Sequence, residues 1–436
     1  MSRSFKDLSD HLDAIDLTTV NGRIIEIVGM LIKAVVPNIK VGEVCAIKRE
    51  GAPLMAEVVG FTRDAVLLSP FGEMQGIGPS SEVVPTRSPL KVKVGMGLLG
   101  RVIDAMGNPL DEEEKGPLNL ENDYPVISSP PSALKRGLIE EPLPVGIKAI
   151  DGLLTCGRGQ RMGIFAAAGG GKSTLLGMIA RNAQSDINVI TLIGERGREL
   201  REFIKNDLGE EGLSRSVVVV STSDQAAQLR LNAAYVGTAI AEYFRDQGKD
   251  VVLMMDSVTR FARALREVGL AAGEPPARSG YTPSVFSTLP RLLERSGNSE
   301  CGSITGFYTI LVAGDDMNEP VADETRSILD GHIILSSELA QQYHYPAIDV
   351  PASLSRLFNT VTSRPHQKIA GKIRSVLANY KKNELLIRIG EYEKGSDPEA
   401  DFAIHYIEGV NRFLKQDVEE KISFEKTLNC LQSLFS

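Results

Sequence analysis

The stretch RMGIFAAAGGGKSTLLGMIARNAQ, residues 161–184, decides the fold. It opens on an apolar run, bends through Gly169, Gly170 and Gly171, and continues at helical spacing. A phosphate-binding loop has this strand, turn and helix, with the pattern G-x-x-x-x-G-K-[ST]. Gly171, Lys172 and Ser173 stand in their expected places, but Ala166 replaces the opening glycine. Such a loop works by aiming backbone N–H groups at phosphates ahead of a helix N-terminus. The glycines nearest the bend matter most for that path. Ala166 ends the strand, where a small side chain can stand in for none. The expectation is a nucleotide site: Ala168, Gly169, Gly170, Gly171 and Thr174 contact the nucleotide, Lys172 neutralises the β- and γ-phosphates, and Ser173 holds Mg²⁺. A glycine-rich turn that binds nothing is the bland alternative, and the Lys-Ser pair in this context argues against it.

Outward from this stretch the chain changes character twice. Residues 20–95 are rich in Val and Ile and punctuated by Gly and Pro, which predicts a small antiparallel β-barrel. A Pro-, Ser- and acid-rich stretch, residues 111–132, reads as an exposed linker with little regular structure. From about residue 145 to 350, apolar runs such as NVITLIG, SVVVVST and DVVLMMD alternate with helical patterns. That alternation predicts an α/β core around a parallel sheet buried on both faces. The remaining tail has helical periodicity and no strand signal. The domains are therefore expected at 1–19 (a partner or self-association segment), 20–95 (barrel), 96–355 (nucleotide-binding core) and 356–436 (helical).

Composition bounds the partners. The 436 residues are 42% hydrophobic and 24% charged, with a formal net charge of −8. That is an ordinary soluble composition, and its acidity does not favour nucleic acid. Cys45, Cys156, Cys301 and Cys430 form no C-x-x-C pair and read as reduced thiols. No apolar run has the ~18 residues of a membrane span, and MSRSFKDLSDHLDAIDL is too polar for a signal segment. A cytoplasmic location is expected. In that opening segment Phe5, Leu8, Leu12 and Ile15 fall at helical spacing, a small apolar face for self-association, a partner or a membrane surface.

Three further elements carry chemistry. Asp256 closes DVVLMMD at the carboxyl end of a buried strand, where ligands of parallel sheets sit, and can hold Mg²⁺ through water. Glu195 follows the strand NVITLIG and is the candidate carboxylate for polarising an attacking water. Arg196 and Glu199 lie beside it, Glu199 as a second water-mediated Mg²⁺ ligand; a solvated charge cluster is the bland alternative. Arg356, beyond the last strand, can act within its own subunit, serve as a finger for a neighbour's γ-phosphate, or form a surface salt bridge. Tyr345 either stacks on adenine or belongs to the core.

AAAGGGKS, GERGREL, VVLMMDSVTRFARA and PAIDVPASLSR, in this order, resemble the rotary ATP synthase family over about residues 20–430. The segment around Pro346, Asp349, Ser353 and Ser355 is the most specific of these. The resemblance implies a barrel, a RecA-like core and a helical C-terminal domain, assembled as a hexameric ring with nucleotide at subunit interfaces. It implies that Glu195 is the catalytic glutamate, that Arg196 and Arg260 lie near the phosphates, and that Arg356 reaches across the interface. Within that family, EPLPVGIKAIDGLLTCGRGQRMGIFAAAGGGKSTLLGMIA, PPARSGYTPSVFSTLPRLLERSG and IGEYEKGSDPEADFAI resemble the ATPases of type III secretion and flagellar export. Those ATPases carry Ala at the position of Ala166, and the triple glycine is closer to the injectisome branch. The resemblance implies Mg²⁺-dependent ATP hydrolysis that energises protein export, releasing chaperones from cargo and unfolding it. It implies a central stalk protein in the pore, lined by residues 266–297. It also implies a stator or regulator at the N-terminal segment, chaperone–cargo complexes at the C-terminal helices, and an export gate at the cytoplasmic side of the inner membrane. The flagellar export ATPase is the first alternative, and a Rho-like RNA translocase ranks below it; the latter requires a basic, aromatic barrel face, whereas this barrel holds few aromatics, Phe61 and Phe71 among them. A non-catalytic ATPase subunit is a further alternative, and it would lack Lys172, Glu195 and Asp256.

Overall fold

The computed structural model describes residues 20–167, 169–312 and 316–435. The expectations for residues 1–19 and for Ala168 lie outside the described residues.

Strand alternation builds the first unit. In β4 (Leu54–Phe61) Leu54, Ala56 and Val58 are buried while the residues between them are half-buried, the period of two that a one-sided strand requires. β1 (Gly22–Val28), β2 (Leu31–Val35), β3 (Glu43–Ile47), β5 (Val66–Pro70) and β6 (Glu82–Pro89) close with β4 into an antiparallel barrel. Bulges at Ile24/Glu26, Glu43/Cys45 and Val58/Gly60 bend the strands around the circle. Ile32, Ile47, Val58, Leu68 and Val83 fill its centre. Burial there pushes the Cys45 thiol up to about 12, which keeps it protonated and inert.

The compact units divide after Leu90, ahead of the residue-95 boundary read from the sequence, with residues 268–274 grouped with the barrel. The reason is local: β7 (Lys91–Val94) pairs with β9 (Asn122–Pro125) in the second unit. That pairing adds one short strand to residues 111–132, which are mostly exposed and hold little regular structure, as the sequence predicts, yet are anchored to the core. Arg101 Nε donates to Asp111 Oδ1 (2.9 Å), Tyr124 Oη to Asp246 (2.7 Å) and Ser128 Oγ to Glu242 (2.7 Å). Side chains distant in sequence anchor a stretch whose own composition resembles a loop.

The second unit is built on a sheet in the order β17-β16-β10-β15-β13-β11-β12-β8. From the edge these are Leu354–Ser355, Gly331–Leu335, Arg161–Ala166, Ser303–Leu311, Asp250–Asp256, Ile187–Glu195, Ser216–Thr222 and Val102–Asp104. β16 through β8 run parallel, and β17 pairs antiparallel at the edge. All residues of β11 are buried, the continuous burial of a strand covered on both faces. Three helices follow the sheet: Arg364–Ile389, Pro398–Leu414 and Phe424–Ser433. Asp397 caps the second by accepting from Glu399 N (2.9 Å) and Ala400 N, with Pro398 at the first helical position. Among the described residues no helix is long and apolar enough to cross a membrane.

One buried ion pair holds the β9 segment against this core. Arg295 (2% exposed) and Glu242 (1%) form a two-bond fork at 2.9 and 2.6 Å, and Arg295 Nη1 also donates to Val126 O (2.9 Å). Removing one partner strands a charge in the interior. Glu242→Ala is expected to cost about 3–5 kcal/mol, read as a lower denaturation midpoint of this unit; a midpoint at the wild-type value would show that the pair is dispensable.

Candidate active site

The carboxyl ends of β10, β11 and β13 converge because parallel neighbours in register end together. Ala166 is the last residue of β10, wholly buried between Leu311 and Leu335 of the flanking strands. It has strand geometry, so its methyl group is accommodated. The bend itself falls on Gly169 and Gly171, at φ 82° and 81°, in the left-handed region where a side chain is strained. Gly171 precedes the helix Lys172–Asn182, which lies at the loop's exit as the sequence predicts.

Lys172 Nζ bonds Asp256 Oδ1 and lies 3.5 Å from Glu195 Oε1. Arg260 Nη2 approaches the other oxygen of Glu195 at 3.2 Å, and Thr309 Oγ1 donates to Asp256 Oδ1 at 2.8 Å. Two cations and two carboxylates thus share a site that is closed to solvent on the sheet side. Burial pushes the Glu195 carboxyl up, and the neighbouring Asp256 charge adds to that, against Lys172 and Arg260. Its hydrogen bond with Glu195 holds Glu199 below the usual carboxylate range. Ser173 is exposed on the first turn beside Lys172, and Thr174 hydrogen-bonds Asp207.

Beside the loop lies a cavity of about 340 Å³, lined by Gly171, Met178, Leu335, Tyr345, Pro346 and Gln416 among others. A Cβ on Gly171 would meet the Tyr345 ring at 3.7 Å, so the ring lies against the bend. Tyr345 is 42% exposed. Gln416 N donates to Tyr345 O (3.0 Å), and its Nε2 donates to Gly146 O (2.8 Å) across 270 residues of sequence.

The structure brings Gly169, Gly170, Gly171, Lys172, Ser173, Glu195, Asp256, Arg260 and Tyr345 to one end of the sheet. Arg196 is 75% exposed and pairs with Glu199 at 3.2 Å, at the margin of the site. Arg356 lies elsewhere. Ser355 pairs with Gly331 at the start of β16, and Arg356 N donates to Asp330 O, at the sheet end opposite the phosphate loop. β16 spans about 13 Å at ~3.3 Å per residue, and no hydrogen bond or ion pair among the described residues joins Arg356 to Lys172, Glu195 or Asp256. Sequence reasoning missed Thr309 and Gln416: a threonine in a buried strand and a glutamine after a helix carry no local signal of a site.

The donor set fits a magnesium nucleotide. The carboxylates lie among cations, and no group of three or more His, Cys, Asp or Glu among the described residues forms a metal cage. Mg²⁺ commonly binds through one or two protein oxygens plus phosphates and water.

Known proteins extend this site to the whole chain. The nucleotide-binding domain of the ATP synthase alpha/beta family matches residues 146–355, and that family's β-barrel domain matches 24–87. The T3SS EscN ATPase C-terminal domain matches residues 362–433. The type 3 secretion system ATPase of Xanthomonas euvesicatoria is 53% identical over 95% of this chain and 93% of its own. The chain belongs to the type III secretion and flagellar export ATPase family. The flagellum-specific ATP synthase of Bacillus subtilis is 51% identical over 98% of both chains, so identity does not divide the two branches. The assembled ATPase EscN from enteropathogenic E. coli superposes with a TM-score of 0.90 at 48% identity, covering 95% of this chain and all of EscN. EscN in complex with its central stalk EscO matches at 0.88. This family member is an ATPase.

Proposed function

We propose that the chain works as a ring of six identical subunits that hydrolyses ATP at subunit interfaces to drive type III protein export. One observation carries this reading: each chain holds a phosphate loop with Lys172, Glu195 and Asp256 at one end of its sheet and presents Arg356 at the other. A heterologous ring brings the second end of one copy to the first end of the next.

The chain's own groups divide the labour. The N–H groups of the 168–171 loop orient the triphosphate, Lys172 neutralises its β- and γ-oxygens, and Tyr345 covers the base. Lys172 must leave Asp256 for the phosphates, which frees that carboxylate. Ser173 would hold Mg²⁺ directly, with Asp256 and Glu199 reaching it through water; the ion supplies neutralisation of phosphate charge. Glu195 orients the attacking water in line with the γ-phosphorus and takes up its proton. Arg196, Arg260 and the next subunit's copy of Arg356 stabilise charge as it develops on the transferring group.

EscN's complex with a central stalk supports a stalk protein in the pore here. Leu385, Leu386, Ile389 and Phe402 are exposed apolar residues on the C-terminal helices and suit chaperone–cargo complexes, whose release and unfolding the ring would power. The N-terminal segment would take the stator, and the ring would stand below the export gate at the inner membrane. The test is concentration. Specific activity should rise with protein concentration as gel filtration shows the ring appear; constant specific activity down to dilute monomer would refute the shared site.

A further inference from the structure

β10 carries the phosphate loop at its carboxyl end and begins at Arg161. Arg161 and Asp330 grip each other by main chain and side chain. Arg161 N donates to Asp330 Oδ2 (3.0 Å), and Asp330 N donates to Arg161 O (2.9 Å). The guanidinium closes a fork on the carboxylate, Nε to Oδ2 and Nη2 to Oδ1, both at 3.0 Å. Glu294 holds the remaining guanidinium nitrogen. This planar fork allows little swing.

Asp330 passes that rigidity on. Its carbonyl accepts Arg356 N (3.0 Å) and Gln160 Nε2 (3.0 Å). Gln160 Nε2 also reaches Ser355 Oγ (3.1 Å), which donates to Thr155 O (2.9 Å). A Cβ on Gly331 would stand 2.6 Å from Leu354 O, so β17 lies closer to β16 than a side chain allows. The backbone of residues 354–356 is held from several sides. The Arg356 side chain is exposed and, among the described residues, makes one long bond, to Arg326 O at 3.4 Å.

We propose that Arg161 and Asp330 are positioning residues for Arg356, so that one strand ties the nucleotide site a subunit owns to the arginine it lends to its neighbour. The inference rests on Arg356 acting across the subunit boundary. A long exposed side chain finds a distant phosphate only if its Cα is fixed, because each freed torsion spreads the guanidinium over more volume. A displacement near 1 Å at such a group costs up to about 10²-fold in rate. The lent arginine works in the transition state, so kcat falls while KM for ATP holds.

The test uses Asp330→Asn, and Arg161→Lys, which keeps its charge but loses the fork. Rings of either variant should assemble, with kcat roughly 10- to 100-fold lower and KM for ATP within about twofold of wild type. Mixing separates positioning from general damage. An Asp330→Asn subunit keeps its own Lys172 and Glu195, so Glu195→Gln subunits should restore activity by lending it a well-placed arginine. Arg356→Ala subunits should not. In a random equal mixture about one interface in four is competent, which bounds the recovery. Restoration by neither partner, restoration by both, or wild-type kcat in both variants would overturn the proposal. If Asp330→Asn fails to assemble, Arg161→Lys decides the matter in the same mixtures. The Glu195→Gln and Arg356→Ala pair serves as control: if those two fail to complement each other, the shared-interface reading itself has failed.

Discussion

Glu195→Gln is expected to lower kcat by about 10²–10⁴-fold while ATP binding stays near the wild-type value. Gln keeps the shape of the side chain and one acceptor oxygen, so the loop, Lys172 and Arg260 remain in place. It cannot accept a proton from the attacking water. Binding should survive because the phosphates are held by the loop and Lys172. Equilibrium binding of a fluorescent ATP analogue, set beside turnover, checks both halves. Loss of binding equal to the loss of rate would make Glu195 a ground-state contact instead.

The same residue sets the acid side of the pH profile. Burial, with Asp256 adding to it, raises the Glu195 carboxyl above its ordinary 4.5. The group works as a carboxylate, so activity is present above the raised value and falls as pH drops through it. The acid limb of kcat/KM, which reports the free enzyme, should therefore stand above 4.5 and disappear in Glu195→Gln. An acid limb at the ordinary value would place the base elsewhere.

Arg356→Ala is expected to reduce kcat by about 10³–10⁵-fold with little change in KM for ATP. The effect is large because a guanidinium in a site closed to water stabilises charge that water would otherwise solvate. The register of β17 places this residue at the sheet end away from its own Lys172, so the loss should fall on the neighbour's site. Rings mixed from Arg356→Ala and Glu195→Gln subunits, each inactive alone, should recover turnover at interfaces where a sound glutamate faces a sound arginine. No recovery under conditions where mixed rings form would place Arg356 in its own subunit's site.

Much of this molecule is legible in short windows of sequence. The alternation in LMAEVVGF, the continuous apolar run of DVVLMMD, and the glycines before Lys172 each express a local rule: pleat period, two-sided burial, left-handed backbone. These determined a barrel followed by a parallel-sheet nucleotide core, and they placed Glu195 and Asp256 at strand ends and Lys172 at the start of the helix after the phosphate loop. The helical tail was legible for the same reason. The anchoring of residues 111–132 was not, because it depends on Asp246, Glu242 and Arg101, whose positions depend on the folded core.

Tertiary structure alone decided the rest. Which strand ends meet follows from the order β16-β10-β15-β13-β11, set by long-range pairing and absent from any window of sequence. That order brings Thr309 onto Asp256, while the segment after the helix Pro398–Leu414 sets Gln416 against Tyr345. The antiparallel edge pairing of β17 with β16 carries Arg356 to the far end of the sheet, where Asp330 O accepts its N–H and Arg161 grips the Asp330 carboxylate. Local residue chemistry determines which groups can bind a phosphate; only the register of packed strands determines whose phosphate each group can reach.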